Sequence, residues 1–186
     1  MKPFLESRAE GEVVLFQDES SFYQSGIPSR CWTQKGTTPT LPIHGSYTRL
    51  NVFGAVNPFT GESFFQYISR LNADCFLSFL RGILNVYPDA SKIYVVIDNA
   101  PGHRANKVRE FVARQPRLVL IRLPPYSPDL NPIETVWREV KRDVVYNTFY
   151  ATRGDFEEAL TRGLQGFAPE RVKRICSLKR FGVEAV

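Results

Sequence analysis

Three acidic residues carry most of the chemistry this chain could do. Asp18 follows Val13-Val14-Leu15-Phe16-Gln17, and Asp98 follows Ile93-Tyr94-Val95-Val96-Ile97. Glu134 stands at the end of Pro124-Pro125-Tyr126-Ser127-Pro128-Asp129-Leu130-Asn131-Pro132-Ile133. The first two acids each end a short apolar run of strand length, and ligands of open α/β sheets bind beyond the carboxyl ends of parallel strands. If the two runs pair as parallel neighbours, both carboxylates emerge at one edge. Carboxylates that close together repel, unless one keeps a proton or a cation neutralises them. Mg²⁺, or Mn²⁺ in its place, suits such a site because it takes oxygen ligands and retains waters for a substrate phosphate.

Each acid also has a plainer reading. Acids at strand ends often form turns, and Asp98-Asn99 could open one. Glu19 offers a carboxylate beside Asp18, but strand alternation sends it to the other face. Asn131 suits an N-cap, Pro132 a first helical turn and Glu134 the third helical position, which together spell a capping box. A capping box accounts for the Asn and the Glu. It leaves unexplained the three prolines before them, which stiffen the approach and forbid helix there; a side chain that must be aimed explains both. Trp137, one turn later, reads as packing. His103 could touch a phosphate, a water or the metal, or make a structural hydrogen bond at a helix start. Asn99, Lys141 and Arg142 join His103 as candidate contacts to DNA or supports behind the ligands, and His44 reads as a loop residue. No Walker loop, dinucleotide fingerprint, Ser-His-Asp signature or HExxH occurs.

The elements that would position these acids follow from periodicity. Residues 13–18 read as a strand ending at Asp18, and 50–56 and 63–68 as a hairpin around the Asn57-Pro58-Phe59-Thr60-Gly61 turn. Residues 73–86 carry Phe76, Leu77, Leu80, Ile83 and Leu84 at helical spacing and stop before Pro88. Continuous apolar runs at 93–98 and 118–123 are expected of strands buried on both faces. Helices are expected over 104–115, 132–146 and 153–166, the last with a Phe156, Leu160, Leu164, Phe167 stripe, and a shorter one after Pro169. Antiparallel pairing suits the first three strands, and crossover helices make the last two parallel to the first. The expected fold is α/β, a mixed five-stranded sheet flanked by helices.

Composition sets outer bounds. The 186 residues are 43% hydrophobic and 23% charged, which suits one globular domain with a real core. No apolar run approaches the roughly 20 residues that span a bilayer, and the start of the chain lacks a signal-peptide core. A cytoplasmic location, with no membrane partner, is the default expectation. The net charge is +5 and uneven. Residues 1–100 hold eight Lys/Arg against nine Asp/Glu, whereas residues 101–186 hold sixteen against ten. A basic second half is compatible with a polyanionic partner. Cys31, Cys75 and Cys176 form neither a zinc pattern nor a disulfide framework, and are expected to be buried free thiols.

Asp18, Asp98-Asn99-Ala100-Pro101-Gly102-His103, and Pro125-Tyr126-Ser127-Pro128-Asp129-Leu130-Asn131-Pro132-Ile133-Glu134 with Trp137 resemble the Tc/mariner superfamily of DDE transposases, in its bacterial insertion-sequence branch. The 35 residues between Asp98 and Glu134 match the short spacing of that branch, and Arg30-Cys31-Trp32 with Lys35-Gly36 looks like the family's loop after the first strand. The likeness runs from about residue 12 to residue 150.

The resemblance implies an RNase H-like catalytic domain holding two ions, Mg²⁺ or Mn²⁺. Asp18 would bridge both ions, and Asp98 and Glu134 would each hold one. It further implies cleavage of transposon-end DNA by water and attack of the freed 3′-hydroxyl on target DNA. A bacterial or archaeal protein near the nucleoid would follow. The family normally carries an N-terminal helix-turn-helix region; with a first strand by residue 13, that region is expected to be absent from a single domain over 1–186. A separate helix-turn-helix protein could then recognise the ends. Segment 20–48 could be an arm to a second copy of the chain, or an ordinary surface loop. Two rival readings remain: a general RNase H-like nuclease, and a catalytically inactive DNA-binding protein derived from a transposase.

Overall fold

A computed structural model describes residue 5, residues 9–40, 42, 48–125 and 128–177. His44, Tyr126 and Ser127 lie outside the described residues. Five strands form one sheet: β1 (Glu12–Tyr23), β2 (Arg49–Val56), β3 (Ser63–Ile68), β4 (Lys92–Ile97) and β5 (Leu118–Arg122), in the order β3-β2-β1-β4-β5. β1–β2 and β2–β3 pair antiparallel, while β1–β4 and β4–β5 pair parallel, as the order of elements led us to expect.

The helices lie on both faces. α1 (Ala73–Val86) and α2 (Asn106–Ala113) cover one, and α3 (Ile133–Val140), α4 (Arg153–Gln165) and α5 (Pro169–Ile175) the other. Strand alternation builds both cores from the same strands. Leu15, Phe53, Ile93, Val95 and Ile97 meet Phe76, Leu80 and Ile83 of α1, whereas Val14, Phe16, Val52 and Val96 meet Trp137, Val140, Phe156 and Leu160. α1 starts where the Asn72 side chain accepts the Cys75 N–H, and α4 where Thr152 and Asp155 form a reciprocal capping box. Phe156, Leu160, Leu164 and Phe167 are all buried, so that stripe faces the core as its spacing required.

Three expectations need correction. β1 does not end at Asp18 but continues to Tyr23, because β2 pairs with it from Phe16↔Val56 to Tyr23↔Arg49. Buried Ser20 and Phe22 keep the period of two going, and the polar Asp-Glu-Ser-Ser run hid it. The helix expected over 132–146 stops at Val140 and widens into a π-turn over Lys141–Val145, where the Tyr146 N–H reaches the Lys141 carbonyl. Of the three thiols only Cys176 is buried; Cys31 is exposed and Cys75 half-buried. Cys31 lies on an irregular segment, exposed from Ile27 to Thr40, whose root is tied down by Gln24 Nε2 donating to the Tyr150 carbonyl and by Ile27 bridging Tyr146.

Candidate active site

The parallel pairing of β1 with β4 runs from Glu12↔Lys92 to Phe16↔Val96. Two residues further along each strand come Asp18 and Asp98, so the register sets both acids at the same level beyond that pairing. Asp18 shares the face of Phe16 and Val14, towards α3; Glu19 points to the α1 face, as strand alternation requires.

Glu134 arrives on the first turn of α3, and its carboxylate is exposed. The capping-box reading does not hold. Pro132 occupies the N-cap position with no side-chain cap hydrogen bond, and Asn131 turns its amide elsewhere. Asn131 Nδ2 donates to the buried carbonyl of Gln17 at 2.9 Å, tying the start of α3 to the residue before Asp18. At the other end of the same connection, Asn99 Nδ2 donates to the Leu123 carbonyl at 2.7 Å, and Arg104 Nη2 donates to Asn99 Oδ1 at 2.9 Å. Neither amide role was legible in the sequence, although Asn-Pro and Asp-Asn pairs beside candidate ligands were visible.

The electrostatics join the three acids. Asp18 is pushed up to about 8, first by burial and then by the charges of Glu134 and Glu19, with Asp98 adding a smaller push. The Glu19 N–H opposes the shift, and Trp137 Nε1 donates to Asp18 Oδ2 at 3.1 Å. Asp98 goes the other way. His103 against Oδ1 holds it below the usual carboxylate range, opposed by burial and assisted by the Ala100 N–H. His103 Nδ1 lies 2.9 Å from that oxygen, but at an angle that leaves its N–H without a well-directed hydrogen bond. The imidazole is buried against the Phe76 ring, 4.1 Å between centroids, with Nε2 3.9 Å from Glu19 Oε2. Burial raises Glu19, and His103 counteracts it. Of the outlying candidates, Arg142 is bound to Glu139 at 2.6 and 2.7 Å and to Asp143 at 3.0 Å, while Lys141 lies over the Phe22 ring at 5.9 Å.

A divalent cation suits this donor set. The groups are hard oxygens, and Asp18 keeps a proton because burial, and after it the acid charge gathered around it, disfavours its bare carboxylate. The buried side-chain atoms without a hydrogen-bond partner among the described residues belong to Gln17, Glu19, His103 and Asn131, each next to or touching one of the acids or the segment that aims them. The acids do not form a closed cage: no group of three or more His, Cys, Asp or Glu among the described residues is arranged to hold an ion. Glu134 is exposed and Asp98 half-exposed, so both are open to an ion from solvent.

Known proteins resemble the chain in sequence and in fold. The chain is 22% identical over 134 residues to the insertion element IS630 39 kDa protein of Shigella sonnei, covering 72% of this chain and 39% of that one. In three dimensions it matches the Mos1 transposase paired-end complex with the left transposon end at a TM-score of 0.75 and 15% identity, over 97% of this chain and 56% of that one. It matches the catalytic domain of Mos1 mariner transposase at 0.68 and 13%, over 95% and 81%. The chain therefore spans 39% of the insertion-element relative and just over half of the longer Mos1 chain. The fold is RNase H-like, as the resemblance implied. Residues 13–157, from β1 through the start of α4, match the model of the DDE superfamily endonucleases, and the chain belongs to that family.

Proposed function

We propose that the chain is the catalytic domain of a DNA transposase in which Asp18, Asp98 and Glu134 hold two divalent ions, Mg²⁺ or Mn²⁺. The observation that supports this reading best is that the β1–β4 register sets Asp18 and Asp98 at one level, where Asp18, already raised by burial, also feels the charges of Glu134, Glu19 and Asp98, a penalty that a cation would relieve. Ions about 4 Å apart would activate the attacking oxygen and stabilise the leaving one in an in-line displacement. The chain's own groups hold the ligands in place. Trp137 and Asn131 fix Asp18 and the approach to Glu134, and His103 keeps Asp98 ionised. Cleavage by water at a transposon end, then attack of the freed 3′-hydroxyl on target DNA, each exchange one P–O bond for another. No covalent enzyme intermediate is required, and no Ser or Tyr nucleophile is invoked.

Mos1 has been solved as a strand transfer complex and as paired-end complexes with Mn and with Mg; those are properties of Mos1, and their transfer to this chain is part of the proposal. So are the partners. Transposon-end and target DNA would be the substrates, in a bacterial or archaeal cytoplasm near the nucleoid, with end recognition by a helix-turn-helix segment or separate protein. The exposed segment up to Thr40, where Trp32 is fully exposed, would meet a second copy of the chain. Among the described residues no helix is long and apolar enough to cross a membrane. Incubation with paired transposon-end and target duplexes, with and without Mn²⁺, tests the reading. Metal-dependent joined products are expected. Cleavage without joining would indicate a plain RNase H-like nuclease, and binding without either a catalytically inactive DNA-binding protein.

A further inference from the structure

The geometry points to Trp137 as a positioning residue for Asp18, seated by Gly54 and coupling the helix that carries Glu134 to the strand that carries Asp18. This rests on the proposed metal chemistry at Asp18. The argument begins with a glycine in the middle of the sheet, where glycine ordinarily weakens a strand and marks a close approach. Gly54 is the register partner of Asp18 on one side and of Phe65 on the other. A Cβ there would lie 2.5 Å from Trp137 Cη2, 2.8 Å from Cζ2 and 2.9 Å from Phe65 Cδ1. No side chain fits at position 54 while the indole lies on it.

The ring is walled in further by Phe22, edge-on at 6.0 Å between centroids, and by Phe65 at 5.7 Å. Trp137 is 2% exposed, so its N–H needs an acceptor inside the protein. With the ring pinned, Nε1 has one direction, and Asp18 Oδ2 lies along it at 3.1 Å. A donor held on one carboxylate oxygen sets the orientation of the other. Trp137 follows Glu134 by three residues on α3, so the same ring fixes the spacing between the two acids. Sequence alone makes this Trp a packing residue; the hydrogen bond gives it a second task.

Mn²⁺ binding to the full chain, read by electron paramagnetic resonance beside the thermal midpoint, separates these roles. Trp137→3-benzothienylalanine keeps the ring shape but replaces the N–H with sulfur. It is expected to bind Mn²⁺ about tenfold more weakly, within the range for outer partners of metal ligands, with a midpoint lowered by only a few degrees, about 2–4 °C for each kcal/mol the lost hydrogen bond costs. Gly54→Ala should weaken Mn²⁺ binding in the wild-type background. It should weaken binding less in a Trp137→Phe background, because the shorter ring leaves only the Phe65 contact against the new methyl. Parent-like Mn²⁺ affinity in the isostere overturns the role assigned to Trp137. Parent-like affinity in Asp18→Asn would instead overturn the metal site itself, so the two failures are distinguishable.

Discussion

On the proposed reading, a proton and a divalent cation compete for the Asp18 carboxylate. Burial, Glu134 and Glu19 raise this group from an ordinary 3.8 to about 8. Near neutral pH about nine in ten metal-free molecules would therefore keep a proton there. A cation must displace it, so the apparent affinity should climb about tenfold per pH unit below 8 and level off above. Between about pH 6 and about pH 8 the expected gain is roughly fiftyfold for release of one proton. Asp98 adds no slope, because His103 holds it ionised throughout that range. Stability follows with a definite sign. A carboxyl raised on folding stabilises most below its unfolded value, near pH 4, and that contribution is lost as pH rises through about 8. Saturating Mn²⁺ removes the loss, so the metal-induced rise in thermal midpoint should widen from about pH 6 to about pH 8. Mn²⁺ titrations at constant ionic strength measure the affinities, with Asp18→Asn as the control for other titrating groups. Equal Mn²⁺ affinity at both ends of that range would refute the argument, as would a slope that persists unchanged in Asp18→Asn.

Three further outcomes are expected. Asp98→Ala should abolish metal-dependent nicking while leaving the thermal midpoint within a few degrees of the parent, because the lost group is half-exposed and outside both cores; nicking at the parental rate would remove Asp98 from the site. Asn131→Leu breaks the buried bond to the Gln17 carbonyl and should cost about 1–3 kcal/mol in urea unfolding, since it strands a buried acceptor. It should also lower kcat more than it raises KM, and an unchanged kcat would reduce Asn131 to a fold determinant. Gly61→Ala should destabilise by about 2 kcal/mol or more: Gly61 has φ +80°, and a Cβ there would lie 2.0 Å from the Pro169 carbonyl oxygen at the start of α5. A midpoint equal to the parent's would mean that α5 yields at no cost.

Much of this architecture was legible because it is periodic. β3 and α1 fall at the residues their patterns set, and the parallel strands announced themselves as unbroken apolar runs, although β5, expected to be buried on both faces, is a half-buried edge strand. What sequence missed is where one element borrows a group from another. β1 runs on past Asp18 because its antiparallel partner, about thirty residues further along the chain, supplies the ladder. Asn131 had the local grammar of an N-cap, and a tertiary acceptor won over the local one. Gly54 was the one visible sign of the indole's seat, since a lone glycine inside a strand signals close approach. The candidate acids themselves could be named from the ends of apolar runs and a proline-stiffened loop. Their electrostatic coupling depends on burial, which no single segment encodes.

The connection from β5 to α3 shows how the placement of Glu134 is divided among residue types. Prolines at 124, 125 and 128 restrict the shapes this stretch can take, and so lower the entropy lost when it folds. They do not say where its ends dock. The two amides do: Asn99, next to Asp98, holds the Leu123 carbonyl at the start, and Asn131 holds the carbonyl of Gln17, next to Asp18, at the finish. Each end of the Glu134 approach is thus tied to the backbone beside one of the other acids. A capping box would have bound Glu134 to its own helix; diverting Asn131 to β1 leaves that carboxylate exposed, as its proposed role as a ligand requires. The sequence Asn-Pro-Ile-Glu makes sense here as an anchor, a stiffener, a core contact and a free acid in consecutive positions.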